Sequence, residues 1–287
     1  MQEQHPLHAI ALFTAAVLLI SVVDTVCKIH TTDLHAVQLV WGYFVGINLT
    51  LFIYFAFRRE RLPDLLVTDR PILQLVRPAC LVASISTLFV GLKYLPIAEA
   101  TTIGFTAPLF ITALSAMILK ENVGWRRWAA VIIGLAGVLI IIRPGGGLWH
   151  WAAFMPLVGA VFFAFFQLVT RVLAGTERTH TTLFYTGVGG IVWTSLLVPF
   201  VWSPPTVTHW AVFISTGVMG ALAHLCMIAA FNRAEASFLA PYNYTKLIWV
   251  SVLGFLVFGD VPSANMWLGA AVIVAAGCCV LYRERPH

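Results

Sequence analysis

Long apolar runs separated by short polar breaks are the dominant pattern along this chain. A helix needs about 20 mostly apolar residues to cross about 30 Å of hydrocarbon. Runs of that length predict ten transmembrane helices, at about 7–29, 34–57, 72–93, 97–119, 124–143, 149–171, 181–202, 208–231, 237–258 and 263–282. The strands of a membrane β-barrel would instead alternate in polarity over segments of about 10 residues. The pattern therefore predicts an all-α integral membrane protein.

The breaks between the runs are too short to hold a soluble domain. They carry proline, glycine or charged residues, as in Arg58–Pro63, Lys120–Asn122 and Arg143–Gly147. The first run is too long for the apolar core of a signal peptide, so we expect it to be a retained helix. The chain of 287 residues is 60% hydrophobic and 10% charged, whereas a soluble domain carries about 25% charged residues. The apolar excess must therefore face lipid.

Lysine and arginine are distributed unevenly between the two sides of the predicted helices. With the N-terminus in the cytoplasm, thirteen basic residues fall at cytoplasmic ends and loops, and three fall outside. The cytoplasmic set is Arg58, Arg59, Arg61, Arg70, Arg77, Lys120, Arg126, Arg127, Arg171, Arg178, Arg233, Arg283 and Arg285, and the outer set is Lys28, Lys93 and Arg143. This bias predicts an inner-membrane protein with both termini in the cytoplasm. The scattered basic residues form no clustered face for nucleic acid.

The two halves of the chain resemble one another in sequence order. The fourth run includes Ala98–Thr102, and its counterpart near the ninth run is Ala234–Phe238. Each is followed by an apolar helix with a tryptophan near its start. Because five helices is an odd number, the second half, 148–287, must lie inverted relative to the first, 1–147. Inverted repeats place a substrate site near the bilayer midplane; chance similarity between two hydrophobic stretches is the alternative interpretation.

Several stretches together carry a resemblance to a known family. They are Gly91–Thr101, the region of Pro108, Lys120–Asn122 with the following helix, and Ala229–Val261. They resemble the EamA module of the drug/metabolite transporter superfamily, with a layout similar to bacterial aromatic and neutral amino-acid exporters. The resemblance implies two inverted five-helix repeats that export amino acids or other metabolites. The chain differs at Trp41–Tyr43, where many members carry an arginine, and at Asp260, where a glutamate is usual, which leaves the substrate open.

Three charged residues lie inside predicted spans, where a charge is costly and usually marks a binding site or pathway. Asp24 and Lys28 lie one turn apart in the first helix, and Lys246 lies in the ninth. A free amino acid carries both charges, so Lys246 could bind its carboxylate and Asp24 its ammonium group. Tyr242 and Trp249 share the predicted helix face of Lys246 and could cover an apolar side chain. The structural alternative is that Asp24 pairs with Lys28, while Lys246 binds a carbonyl or extends to the interface.

Further polar and aromatic residues fall in helices that we expect to face the centre. The additional candidates for substrate contacts are Ser84, Thr101, Phe105, Phe163, Gln167 and His224. Serine and threonine in such helices also bond their own backbone or a neighbouring helix, which is the structural interpretation. The ring of His224 can exchange a proton near physiological pH, so a proton is a candidate coupling ion. A packing histidine is the alternative.

The sequence contains no recognisable motif for catalysis, ATP use or metal binding. The five cysteines lack a CxxC or zinc-ligand spacing, and Gly145–Gly147 lacks the rest of a phosphate-binding loop. We expect no enzyme activity, cofactor or metal, and expect a small-molecule substrate and membrane lipid as partners. The leading hypothesis is a secondary exporter of small amphipathic metabolites, above all neutral or aromatic amino acids. The alternatives are a broad drug or cation exporter, which would gain nothing from Lys246, a channel, and an intramembrane enzyme.

Overall fold

A computed structural model describes residues 6–58, 65–118, 124–143, 150–174, 176–231, 233 and 239–282. The α-helices, in chain order, are α1 (Pro6–Ile29), α2 (Ala36–Arg58), α3 (Pro71–Leu92), α4 (Ile97–Gly104), α5 (Ala107–Ile118), α6 (Trp125–Ile142), α7 (Met155–Ala174), α8 (Thr179–Leu197), α9 (Val207–Phe231), α10 (Thr245–Phe258) and α11 (Ala264–Tyr282). Short 3₁₀ helices lie before α7, after α8 and before α10, at Trp151–Phe154, Val198–Val201 and Ala240–Tyr244. Some stretches used in the sequence analysis lie outside the described residues, namely 59–63, Lys120–Asn122, Gly145–Gly147 and Ala234–Phe238.

Seven apolar segments of the described chain are long enough to cross a membrane. They are Leu7–Ile29, Ala36–Phe57, Pro71–Leu92, Ile97–Ile118, Trp151–Thr170, His180–Val201 and Val207–Met227. Three further apolar helices are shorter, at Trp128–Ile142, Tyr242–Phe258 and Ala264–Cys279. Each segment overlaps a run that the hydrophobic pattern marked. The all-helical, multi-pass architecture is confirmed, while the crossing of the membrane by the three shorter helices stays a prediction.

The fourth span is broken, whereas the hydrophobic pattern predicts one continuous helix there. Phe105 and Thr106 form a turn between α4 and α5. At this turn the amide of Thr106 donates to the carbonyl of Ile103 at 3.1 Å, a tightened bond of the 3₁₀ type. Pro108 lies just inside α5; it has no N–H to donate, and its ring crowds the preceding turn. An uninterrupted α-helical ladder therefore cannot form through this position.

The ninth predicted span also changes geometry, because Ala240–Tyr244 is a 3₁₀ segment and α10 begins only at Thr245. Proline lies at the start of this segment, where its missing N–H costs little. The ring centroids of Phe105 and Tyr244 are 5.3 Å apart. The two irregular segments, one from each half, therefore meet inside the protein.

The helices of the two halves pack closely through glycine. α1 packs against α9, α3 against α7, α2 against α8 and α9, and α6 against α11. A Cβ atom added at Gly217 of α9 would lie 2.3 Å from the Cα atom of Gly46 in α2. A Cβ atom added at Gly190 of α8 would lie 2.3 Å from the ring of Phe44. The absence of side chains at these positions lets the backbones approach, as in other membrane helix pairs.

Candidate substrate cavity

A cavity of about 420 Å³ lies among helices of both halves. Its wall comes from α1, α2, α3, α4, α5, α7, α8, α9, α10 and the Ala240–Tyr244 segment. Its aromatic wall residues are Tyr43, Phe44, Phe89, Phe105, Phe163 and Phe166. The charged wall residues within the described chain are Asp24, Arg77 and Lys246. A volume of this size, mostly apolar with a few polar groups, suits a small metabolite.

An ion pair between α1 and α10 is the first charged feature of the wall. The Nζ atom of Lys246 lies 2.8 Å from the Oδ2 atom of Asp24. Lys246 is the second residue of α10, directly after the 3₁₀ segment. Both side chains are largely buried, with 8% of Asp24 and 17% of Lys246 exposed. Each charge compensates the other in a setting where a lone buried charge would be strongly destabilising.

Lys28 pairs elsewhere, so the structural alternative of an Asp24–Lys28 pair is wrong. Its Nζ atom lies 3.0 Å from the Oδ2 atom of Asp260 and 4.4 Å from the ring centroid of Phe258. Lys246 pairs with Asp24. The alternative for Lys246, a backbone carbonyl partner or a position at the membrane interface, is therefore also wrong. Because α1 and α10 pack side by side, Asp24 on α1 pairs with Lys246 on α10, and Lys28 on α1 pairs with Asp260, two residues after the end of α10.

Most of the predicted contact residues lie on the cavity wall. These are Asp24, Ser84, Thr101, Phe105, Phe163, Gln167, His224 and Lys246. Tyr242 and Trp249 are not among the wall residues that the structure describes; they pack against an apolar cluster made of Ala9, Phe13, Val17, Ala230 and Leu239. Their predicted position on the face of Lys246 assumes one continuous α-helix. Trp249 does lie in α10 together with Lys246, yet it packs against this cluster. Tyr242 instead lies in the 3₁₀ segment, where each residue turns further about the axis.

Ser84 also has a packing role. Its hydroxyl donates to the carbonyl of Gly159 at 2.8 Å and so joins α3 to α7. The structural interpretation of the serine and threonine residues therefore holds at this position. The rings of Phe163 and Phe166 lie nearby on α7, with centroids 5.7 Å apart in a tilted arrangement. Together they supply an aromatic surface on one side of the cavity.

Arg77 is a wall residue that the sequence did not indicate, because the charge pattern assigns it to the cytoplasmic ends and loops. It lies inside α3, and only 9% of it is exposed. Its Nε atom donates to the hydroxyl of Thr170 at 2.7 Å, and its Nη1 atom donates to the hydroxyl of Thr186. Its guanidinium carbon lies 4.4 Å from the ring centroid of Phe166. The signal was present in the sequence, since Arg77 falls inside the third apolar run.

A match to a protein-family model establishes the family. The model of the EamA-like transporter family matches residues 7–143 and again residues 150–282. The chain belongs to the EamA-like transporter family. The resemblance inferred from the sequence motifs is confirmed, and this EamA-like chain is a multi-pass membrane transporter.

Relatives of this EamA-like protein carry different substrate names. An S-adenosylmethionine uptake transporter of Rickettsia bellii is 25% identical over 262 residues, which is 91% of this chain and 89% of the relative. A riboflavin transporter of Vibrio cholerae is 36% identical over 180 residues, 62% of this chain and 60% of the relative. The pseudopaline exporter CntI of Pseudomonas aeruginosa is 26% identical over 277 residues, 92% of each chain. A solved crystal structure with 19% identity superposes with a TM-score of 0.66 over 96% of this chain and 97% of that chain, a likeness in fold.

Proposed function

We propose that this EamA-like protein is a secondary transporter of small amphipathic metabolites that carry an amino-carboxylate group. Neutral and aromatic amino acids are the proposed class, and the central cavity is the proposed binding site. The observation that carries the proposal is the Asp24–Lys246 ion pair on an otherwise mostly apolar, aromatic wall. A zwitterion with a ring matches both features.

The ion pair offers a way to bind a zwitterion without leaving a charge unpaired. In the empty cavity, Asp24 and Lys246 neutralise each other at 2.8 Å. A bound amino acid would place its carboxylate on the ammonium of Lys246 and its own ammonium on the carboxylate of Asp24. An isolated charge in a span costs about 2.5–3.5 kcal/mol on insertion scales. Because Asp24 and Lys246 are paired both with and without substrate, the empty and the loaded carrier can both change between the conformations that open to either side.

We further propose that the cavity opens alternately to the two sides by movement between two inverted five-helix repeats, 1–147 and 148–287. The family model matches two stretches of similar length, one in each half. The first helix of each half contacts the third helix of the other half: α1 contacts α9, and α7 contacts α3. An irregular segment interrupts the fourth and the ninth span, and discontinuous helices at a substrate site are common in secondary transporters.

Export from the cytoplasm, with both termini on the cytoplasmic side of the inner membrane, completes the proposal. Relatives are named both for uptake and for export. The proposed direction of transport rests on the resemblance to exporters of the family, and the proposed orientation rests on the basic residues of the loops. His224 lines the cavity, which supports a proton as the coupling ion. A cation exporter would use Asp24 as a free carboxylate, and its pairing with Lys246 speaks against that alternative.

Counterflow in proteoliposomes tests the proposed substrate class. Vesicles loaded with unlabelled phenylalanine are given radiolabelled phenylalanine, and competitors that keep the ring but lose one charge are added outside. Phenethylamine lacks the carboxylate and 3-phenylpropionate lacks the ammonium group. Each loses one charge-assisted contact, so each should compete about tenfold or more weakly than phenylalanine. Equal competition by phenethylamine would favour the cation exporter, and absence of any counterflow would contradict amino-acid transport.

A further inference from the structure

Arg77 presents a buried positive charge to the cavity without a carboxylate beside it. Within the described chain, no aspartate or glutamate lies within ion-pairing distance of its guanidinium. The other two charged wall residues, Asp24 and Lys246, neutralise each other. The net charge of the described wall is therefore +1, and Arg77 carries it. A buried cation of this kind strongly favours a bound anion.

The guanidinium is held in place by the neighbouring helices. Thr170 of α7 accepts from Nε, and Thr182 and Thr186 of α8 accept from Nη1 through a carbonyl and a hydroxyl. The ring of Phe166 lies against its face. All these partners are neutral, so they fix the orientation of the guanidinium without cancelling its charge. The described residues accept no hydrogen bond from Nη2, which leaves that edge of the planar fork available to a ligand.

We propose that Arg77 forms an anion subsite and that the transported substrate carries a second acidic group, a carboxylate, beside its amino-carboxylate end. This inference rests on the proposed function: it keeps the amino-carboxylate end and specifies an acidic group in place of a neutral side chain. The amino-carboxylate exchanges with the Asp24–Lys246 pair, and the second carboxylate accepts charge-assisted hydrogen bonds from Arg77. The aromatic residues of the wall contact the apolar part of the substrate, between its two charged ends. A dicarboxylic amino acid of this kind has a net charge of −1, which balances the described wall.

A set of isosteric ligands tests the subsite. 4-Carboxyphenylalanine and 4-carbamoylphenylalanine share the ring and the amino-carboxylate and differ only in charge at the far end, and phenylalanine lacks the far group. Binding to purified full-length protein in lipid nanodiscs is measured by calorimetry. Wild type should bind the carboxy compound about tenfold or more tightly than the carbamoyl compound, since hydrogen bonds to charged groups are the stronger ones. In Arg77→Gln the ratio should fall to about one.

Two further variants separate a binding role from a structural one. Arg77→Lys keeps the positive charge but loses the planar guanidinium, which can bind a carboxylate through two hydrogen bonds, so it should retain part of the preference for the carboxylate. Arg178→Gln makes the same substitution at an exposed arginine outside the cavity and should leave the ratio unchanged. Each variant must elute as a single species, and Arg178→Gln should also keep the phenylalanine affinity of wild type. A wild type that binds both para-substituted ligands equally, or an Arg77→Gln variant that keeps the preference, would overturn the proposal.

Benzoate and benzamide distinguish a failure of this inference from a failure of the proposed function. Neither has an amino-carboxylate end. Because the carboxylate of benzoate can also pair with Lys246, the part of their difference that Arg77→Gln removes is the part that reports on the anion subsite. If no amino acid binds but benzoate still binds more tightly than benzamide in wild type and not in Arg77→Gln, the subsite stands and the amino-carboxylate proposal falls. If neither ligand set shows a carboxylate preference that depends on Arg77, the subsite is wrong.

Discussion

At the scale of residues, two ion pairs connect α1 to the region of α10. Asp24–Lys246 lies on the cavity wall, and Lys28–Asp260 does not. The side chain of Asp260 is 29% exposed, compared with 8% for Asp24. The two pairs therefore share their chemistry and differ in burial and position. That difference makes the second pair a control for the first.

The stability of the Asp24–Lys246 pair gives the residue-scale prediction. Asp24→Asn or Lys246→Gln alone leaves one buried charge unpaired, which should cost about 3–5 kcal/mol of unfolding free energy. The double variant removes both charges and should recover most of that loss. Asp260→Asn, at the more exposed pair, should cost less than Asp24→Asn. Unfolding in detergent by denaturant, followed by fluorescence, measures all four. An Asp24→Asn variant as stable as wild type would show that the pair makes no such contribution to the free energy of unfolding.

The candidate site was only partly predictable from these residues. Asp24 and Lys246 stand out because charge is rare in apolar runs, and that signal needs no structure. Their pairing was not predictable, because it depends on how two helices far apart in sequence come together. Spacing within one helix favoured Lys28 as the partner of Asp24, and tertiary packing overrode it. Arg77 was missed because a basic residue near the end of a span is equally typical of a loop.

At the scale of elements, glycine determines how closely the helices approach. Gly217 of α9 rests on the backbone of Gly46 in α2, while a Cβ atom added at Gly104 would meet nothing within 4 Å. Both glycines lie in helices, but only Gly217 is at a close contact. The two positions therefore separate the effect of packing from that of helix propensity.

Gly217→Ala and Gly104→Ala form the element-scale prediction. The added methyl of Gly217→Ala would lie 2.3 Å from the Cα atom of Gly46, and moving two backbones apart should cost about 1–3 kcal/mol of stability. Gly104→Ala meets no neighbour, so it should be neutral or stabilising by up to about 1 kcal/mol. Thermal unfolding of both purified variants measures the difference. Equal midpoints for the two variants would refute the assigned α2–α9 contact.

The helices themselves were well predicted, and their irregular segments were not. Apolar runs mark the spans because lipid requires about 20 apolar residues in a row. Hydropathy does not report backbone geometry, so the turn at Phe105–Thr106 and the 3₁₀ segment Ala240–Tyr244 were both assigned to continuous helices. Pro108 gave a local warning of the first break. The second displaced Tyr242 from the face of Lys246.

At the scale of the whole molecule, the cavity takes its wall from both stretches that match the EamA-like family model. Its negative charge comes from α1 in the first stretch, and the matching positive charge comes from α10 in the second. A relative movement of the two halves would therefore strain or release this pair. Substrate that inserts between Asp24 and Lys246 would replace one contact across the halves by two contacts to itself, which links binding to movement.

Transport by the charge-neutral double variant tests that link most directly. Asp24→Asn combined with Lys246→Gln leaves no unpaired charge at this position, so a folding defect is not expected to obscure the result. Counterflow of radiolabelled phenylalanine is measured in proteoliposomes with matched amounts of wild type, the double variant, and the control Lys28→Gln with Asp260→Asn. The double variant at the cavity should lose transport, while the control pair should retain it. Wild-type rate and apparent affinity in the Asp24→Asn, Lys246→Gln protein would contradict the proposed role of the ion pair.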